Sequence, residues 1–148
     1  MAYPQLKLDN QLCFRLYTAA RLATACYTPY FRQYGITYPQ YLVLMLLWEQ
    51  DNRIISEITE RLHLETNTVT PLLQRMEKQG LIVRQKSQAD SRQRIISLTG
   101  DGKRLEEQIQ EVPNCLAREF VESGMIEEEL QSMIPLLDKF IQVVKELY

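Results

Sequence analysis

Cys13 stands in the stretch Gln11-Leu12-Cys13-Phe14-Arg15-Leu16-Tyr17, with a tyrosine four residues on. A peroxide is attacked by thiolate rather than thiol, and a free cysteine ionises only near pH ~8.5, so a peroxide-sensing cysteine needs groups that hold its anion. No Lys or His is a near neighbour of Cys13 in sequence, and Arg15 points to another helix face. Phenolic hydroxyls can stabilise a thiolate by hydrogen bonding. Seven of the eight tyrosines lie in residues 1–41, all but Tyr148. Tyr17 is one helical turn from Cys13 on the same face. Tyr27 lies within about 40° of that face but roughly 21 Å along the axis. In a continuous helix it cannot touch Cys13 of its own chain. It reaches Cys13 of a second subunit if two copies of the helix cross antiparallel, and Tyr38 can join it. The residues alone support equally a second reading, in which Cys13 is a small buried residue and the tyrosines pack an interface.

The other candidate groups are fewer. Three cysteines (Cys13, Cys26, Cys115) without metal-type spacing, with His63 the one histidine, predict no metal site. No cofactor is expected. Cys26 is about 140° round the helix from Cys13 and reads as packing, His63 as a turn residue and Trp48 as core.

These side chains need elements to position them. Asp9 is the expected N-cap of a long helix to Gln33, with Leu12, Leu16, Ala19, Ala20, Ala23 and Tyr27 at helical spacing. Pro29 should end or kink it, and Gly35 should close it. Thr37-Tyr38-Pro39-Gln40 is a capping box that opens a second helix, apolar nearly all round, to about Glu49. A short helix over 55–62, a break at His63 and a helix from Glu65 or Thr66 to Gln79 form a helix-turn-helix pattern. Strands over 81–86 and 92–98, joined by Ser87-Gln88-Ala89-Asp90-Ser91, form a hairpin wing. Thr99 caps a further helix that passes through Pro113, where a kink is expected. Ser123-Gly124 breaks it. The last helix, from about Glu127 to Leu147, carries a seam of Leu130, Ile134, Leu137, Ile141, Val144 and Tyr148, with Pro135 as another kink.

Net charge is −2, but its distribution is uneven. Residues 61–100 carry seven basic side chains against three acidic ones, and residues 101–148 carry five basic against eleven acidic. A basic patch within an acidic chain, on a winged helix-turn-helix, favours DNA over an ordinary solvated face. Groove-facing candidates are Thr66, Asn67, Thr68, Thr70, Gln74 and Arg75 on the recognition helix. Arg84, Lys86, Asp90, Arg92 and Arg94 follow on the wing, where Asp90 can steady Arg92 in a minor groove. Pro71 predicts a local bend. No apolar run approaches a membrane span, so no membrane partner is expected and a cytoplasmic location is.

The order of elements, the Leu-Thr-Gly-Asp-Gly segment after the wing and Asp90-x-Arg92 at its tip resemble the multiple-antibiotic-resistance-regulator (MarR) family over nearly the whole chain. Gln11-Leu12-Cys13-Phe14-x-Leu16-Tyr17, Thr37-Tyr38-Pro39-Gln40-Tyr41-Leu42, Leu46-Leu47-Trp48-Glu49 and Thr68-x-Thr70-Pro71-Leu72-Leu73-x-Arg75-Met76-Glu77 are similar to its organic-hydroperoxide-resistance regulator (OhrR) branch. Glu65 and Asn67 depart from the Asp and Gly common in that branch. The resemblance implies a homodimeric repressor, released from its operator when Cys13 is oxidised by an organic hydroperoxide. It also implies that Tyr27 and Tyr38 hydrogen-bond the sensor sulfur. Cys115 falls roughly where the two-cysteine members carry the partner for an intersubunit disulfide. Members without that second cysteine form mixed disulfides with small thiols.

The expected fold is therefore mainly α with a small β-hairpin wing, in a single domain over 1–148. A winged helix-turn-helix lobe spans 36–100, and dimerisation helices span 8–34 and 101–148. The expected partners are double-stranded DNA with a pseudo-palindromic operator, a second copy of the chain, and an organic hydroperoxide as oxidant. The nearest rival is a repressor of the same fold gated by a small phenolic or aromatic ligand. A thiol peroxidase is the rival from another class, and the sequence shows neither a turnover route nor a reductant-docking surface for it.

Overall fold

The computed structural model describes residues 3–148. Its helices and strands are α1 (Leu12–Ala25), α2 (Thr28–Phe31), α3 (Tyr38–Glu49), β1 (Arg53–Ile54), α4 (Ile55–Leu62), α5 (Thr66–Lys78), β2 (Ile82–Lys86), β3 (Arg94–Leu98), α6 (Gly100–Ile109), α7 (Val112–Glu122) and α8 (Glu127–Lys145). They fall into two compact units, Met1–Gln110 and Glu111–Tyr148. Helix α6 belongs to the first unit, where it packs on α3 and β3.

The core of the first unit is α3. Its first turn is fixed by the capping box: Gln40 N donates to Thr37 Oγ1 at 3.4 Å, and Thr37 N donates to Gln40 Oε1 at 3.2 Å. Tyr41, Val43, Leu44, Leu46 and Leu47 are buried around the helix, as expected for one that is apolar nearly all round. Ile58 of α4 and Val69, Leu72, Leu73 and Met76 of α5 complete the core of the helix-turn-helix. His63 adopts the left-handed conformation (φ 53°) that ends α4, and Gly80 (φ 76°) turns the chain from α5 into the wing.

The wing has a third strand that the periodicity does not announce. β1 pairs antiparallel with β3, Arg53 opposite Ile96, giving the order β1-β3-β2. Two residues are too few to show alternation. The buried Arg53 donates from Nε to the carbonyls of Leu46 (3.2 Å) and Gln50 (2.9 Å) at the end of α3, where cations complement the exposed carbonyls of a helix terminus. The Leu-Thr-Gly-Asp-Gly segment also has a physical reason. Thr99 caps α6 by accepting from Gly102 N (3.1 Å), and a Cβ on Gly102 would stand 2.3 Å from the Leu81 carbonyl oxygen. Trp48 Nε1 donates to the Gly102 carbonyl at 2.9 Å.

Two of the expected helices differ in their bounds. The helix expected from Asp9 to Gln33 starts at Leu12 and ends at Ala25, and α2 and a 3-10 turn follow it. Asp9 lies in a preceding 3-10 turn and Gln11 is the N-cap. Here Asn10 Nδ2 donates to the Pro4 carbonyl and Gln11 Nε2 to the Gln5 carbonyl, and these bonds fold the leading segment upon itself. The helix expected to kink at Pro113 instead breaks at Gln110-Glu111. Pro29 and Pro113 each sit in the first turn of a new helix, the place where a missing N–H costs nothing. Pro71 and Pro135, by contrast, lie inside helices that continue past them.

In the second unit, α7 and α8 are separated by a turn at Gly124 (φ 126°). Ile126 N donates to Glu129 Oε2 at 3.1 Å and opens α8. The apolar seam of α8 stays largely open: Ile134, Leu137, Ile141 and Tyr148 are exposed.

Candidate functional site

Cys13 is exposed. Because α1 begins at Leu12 and not just after Asp9, Cys13 occupies its first turn, among the amide N–H groups that lack partners within the helix. Its neighbours on α1 are also unburied: Leu12, Phe14 and Tyr17 are all exposed. Arg15 turns back and donates from Nη1 to the Gln11 carbonyl at 2.9 Å.

The tyrosines separate into two groups. Tyr17 stands on the open face of α1. Tyr27 and Tyr38 pack together just beyond the other end of that helix, with ring centroids 4.9 Å apart. Tyr27 also meets Phe31 (5.3 Å) and Tyr41 (5.6 Å), and Tyr41 meets Phe31 at 4.8 Å. Burial pushes all three phenols up. Tyr38 is raised by burial alone; Tyr27 is raised by burial, then by Tyr38 and Cys26. Tyr41 is pushed to about 12 by burial and by its neighbours Tyr27 and Tyr38. At neutral pH these groups are O–H donors. A groove of about 330 Å³ runs beside them, lined in part by Arg21, Tyr27, Phe31, Arg32 and Tyr38.

The remaining cysteines differ in partner. Cys26 Sγ lies 3.3 Å from the Leu22 carbonyl and donates to it, in keeping with a packing role. In the second unit the half-buried Cys115 accepts from Arg118 Nη2 at 3.4 Å. The sequence reading passed over Arg118, although the three-residue helical spacing is the signal that would have found it.

On the DNA-reading candidates, Thr66, Asn67, Thr68, Gln74 and Arg75 are exposed on α5, and Thr70 is half-buried. The fold sets the start of α5 beside the residues that lead out of the wing loop into β3. Ser56, Thr66, Arg92 and Arg94 line one groove of about 290 Å³. At the wing tip Arg92 is 88% exposed and held by Asp90, whose two carboxylate oxygens accept from its Nε (3.1 Å) and Nη2 (3.2 Å). Those bonds hold the Asp90 carboxyl below its ordinary value. Lys86 is exposed and Arg94 half-buried, with its Nη1 donating to the Ser91 carbonyl. Arg84 has a different first task. Its Nη2 donates to Glu77 Oε1 at 3.1 Å and its backbone N–H to Glu77 Oε2 at 3.2 Å, so it ties β2 to α5. The Arg84 bond is the main reason the Glu77 carboxyl lies below its ordinary value.

Comparison with known proteins agrees with this architecture. The family model for the transcriptional regulator SarA/Rot matches residues 25–109. The organic hydroperoxide resistance transcriptional regulator of Bacillus subtilis (strain 168) is 42% identical over 132 residues, covering 89% of this chain and 90% of its own. The structure of reduced AbfR bound to DNA superposes with a TM-score of 0.80 at 36% identity and covers 99% of each chain. The disulfide-formed structure of AbfR, a Staphylococcus epidermidis protein, gives 0.63 at 40% identity over 88% of this chain and 94% of its own. The relative and the family model are both of transcriptional regulators. The chain belongs to the MarR family of transcriptional regulators, in its organic-hydroperoxide-resistance branch.

Proposed function

We propose that this chain is a homodimeric repressor whose Cys13 senses organic hydroperoxides and releases operator DNA on oxidation. The observation that carries the sensing half is the separation of Cys13 from the phenols. Cys13 lies open at the start of α1, and Tyr27 and Tyr38 gather past its far end. Antiparallel pairing of two α1 helices brings each sulfur to the other copy's phenols and covers Leu12, Phe14 and Tyr17 as well. A C2 pairing of this kind is self-complementary.

The chemistry balances without a cofactor. The Cys13 thiolate attacks the hydroperoxide; the O–O bond breaks, the departing alkoxide takes up the proton that the thiol gave up on ionising and leaves as an alcohol, and Cys13 becomes a sulfenic acid. The thiol of Cys115 from a second copy then attacks that sulfur. An S–S bond forms, the S–O bond breaks and water leaves. The reduced dimer places two α5 helices in successive major grooves about one helical turn apart, with Arg92 in each flanking minor groove. Thr66, Asn67, Thr68, Thr70, Gln74 and Arg75 face the groove, Lys86 and Arg94 lie along the phosphates, and Arg84 braces the wing. Among the described residues no helix is long and apolar enough to cross a membrane. On this reading the chain works in the cytoplasm, which supplies both the operator and the thiols that reset the switch.

The test is an operator titration with and without cumene hydroperoxide. Wild type should lose affinity on oxidation and Cys13→Ser should not. Non-reducing electrophoresis follows the second step: a covalent dimer is expected from wild type and none from Cys115→Ser. A second reading is favoured by the groove beside Tyr27 and Tyr38, which has room for a small aromatic ligand. Release of Cys13→Ser from DNA by hydroperoxide would select that reading.

A further inference from the structure

The phenol cluster and the recognition helix are joined by a short polar chain that the function described so far does not use. Gln40 is a buried polar residue of the core, 3% exposed. Its Oε1 accepts from Thr37 N in the capping box that starts α3, beside Tyr38. Its Nε2 donates to Gln79 Oε1 at 3.0 Å. Gln79 is the C-cap residue of α5, one turn beyond Arg75. Its own Nε2 donates to the Gly35 carbonyl at 2.7 Å. Gly35 has φ 66° and closes the 3-10 turn between Tyr27 and Tyr38.

Gln79 therefore ties the end of α5 to both sides of Tyr38, at Gly35 and at Gln40, and so to the turn that leads from Tyr27. The bonds span 39 and 44 residues of sequence. Neither follows from local helix geometry, and no apolar pair at these positions could make them. A buried amide with a committed donor and acceptor loses both bonds when its neighbours shift, and an unpartnered polar group in the core is costly. The two ends of the chain thus move together or break together.

We propose that Gln40 and Gln79 are the positioning residues through which a displacement of Tyr27 and Tyr38, on oxidation of Cys13, moves the recognition helix. This rests on the reading of Cys13 as the sensor acting through those phenols. Neither glutamine touches the sulfur or the DNA; they act through the Gly35 turn and the α5 C-cap.

The test compares Gln79→Met, Gln40→Met and the double variant in the full-length protein, with Cys13→Ser and wild type as controls. Methionine keeps length and removes the hydrogen bonds. Gln79 is exposed, so its variant folds without rebuilding the core. Two quantities are read: the rate of Cys13 sulfenic-acid trapping by dimedone, and the ratio of operator Kd in the oxidised and reduced forms. Gln79→Met should trap sulfenic acid at the wild-type rate and bind operator normally when reduced. Its oxidised-to-reduced Kd ratio should fall by about tenfold, and the double variant should lose no more than either single one. Gln79→Glu keeps an acceptor for Gln40 Nε2 and should recover part of the ratio. A wild-type ratio in Gln79→Met, or an equal loss of affinity in both redox forms, overturns the link. A Cys13→Ser protein that still responds to hydroperoxide overturns the sensor reading beneath it, and the two failures are told apart in one experiment.

Discussion

Helices α1 and α3 are of similar length, yet α3 buries Tyr41, Val43, Leu44, Leu46 and Leu47 while α1 buries nothing. Leu12, Phe14, Tyr17 and Leu22 stand exposed on α1. The lobe around α3 is built within one chain: α3 and α6 carry side-chain N-caps, its three strands are paired and its core is closed. Helix α1 has apolar side chains with nothing over them. The lesson is a division of labour. DNA-reading geometry is folded into each chain, whereas the sensing geometry on the proposed function needs a second copy. A response that depends on assembly can be lost without unfolding the reader.

The largest expected effect tests that division directly. Leu73 is fully buried in the helix-turn-helix core. Leu73→Ala should cost about 2–5 kcal/mol, through lost burial and the cavity left behind. Leu12→Ala on α1 should leave the lobe's stability nearly unchanged in dilute solution and weaken dimerisation instead. Urea unfolding at several protein concentrations reads both. An equal, concentration-independent loss in the two variants would erase the contrast between the regions.

Next in size is Gly102, where the wing meets α6. A Cβ there would stand 2.3 Å from a backbone oxygen, which cannot turn aside as a side chain does. Gly102→Ala should lower stability by about 1–3 kcal/mol. Gly100→Ala is the control, because the nearest atom, at 3.2 Å, is the mobile end of Arg104. Thermal melting should separate the two variants; similar melting temperatures would mean that the Leu81 crossing is not tight.

Arg92 sharpens the comparison from the DNA side. Its guanidinium is open to solvent and aimed by Asp90. Arg92→Ala should weaken operator binding and, with one Arg92 lost from each subunit of the proposed dimer, lower the log–log salt slope by about 2. The ratio of oxidised to reduced affinity should be untouched, since on the proposed function the wing tip serves the reader alone. A changed ratio would place the wing in the sensing path.

How far these regions could be read from sequence follows the same division. The capping box at Thr37, the apolar stripe of α5 and the Asp90–Arg92 pair depend on neighbours a few residues away, and all stand where the pattern puts them. The short strand β1, the role of Arg53 and the Gln40–Gln79–Gly35 chain depend on segments brought together only by folding, so no local periodicity announces them. Prolines show the limit in another way. Pro29 and Pro113 start helices, and Pro71 and Pro135 are carried within them. The residue type alone does not say which, because the choice depends on whether neighbouring turns supply a new helix start. Arg84 was legible as a wing cation but not as the brace on Glu77, which lies on another element.

The smallest effect is a titration, and it concerns the end of the proposed sensing site that one chain builds by itself. Tyr27, Tyr38 and Tyr41 are raised by burial, Tyr41 to about 12 from its ordinary value of 10.0. A phenol raised by folding stays protonated longer in the native state than in the unfolded chain. Its contribution to stability is therefore complete below pH 10 and is lost as pH climbs from 10 towards 12. Across neutral pH it is constant, and the three hydroxyls remain donors. Phenolate absorbance should include a late component near pH 12 that disappears in Tyr41→Phe. If that variant keeps the late component, the Tyr41 ring is not the buried group at the centre of the cluster. The hydroxyls of Tyr27 and Tyr38 would then need another source of shielding to serve as neutral donors to an incoming sulfur.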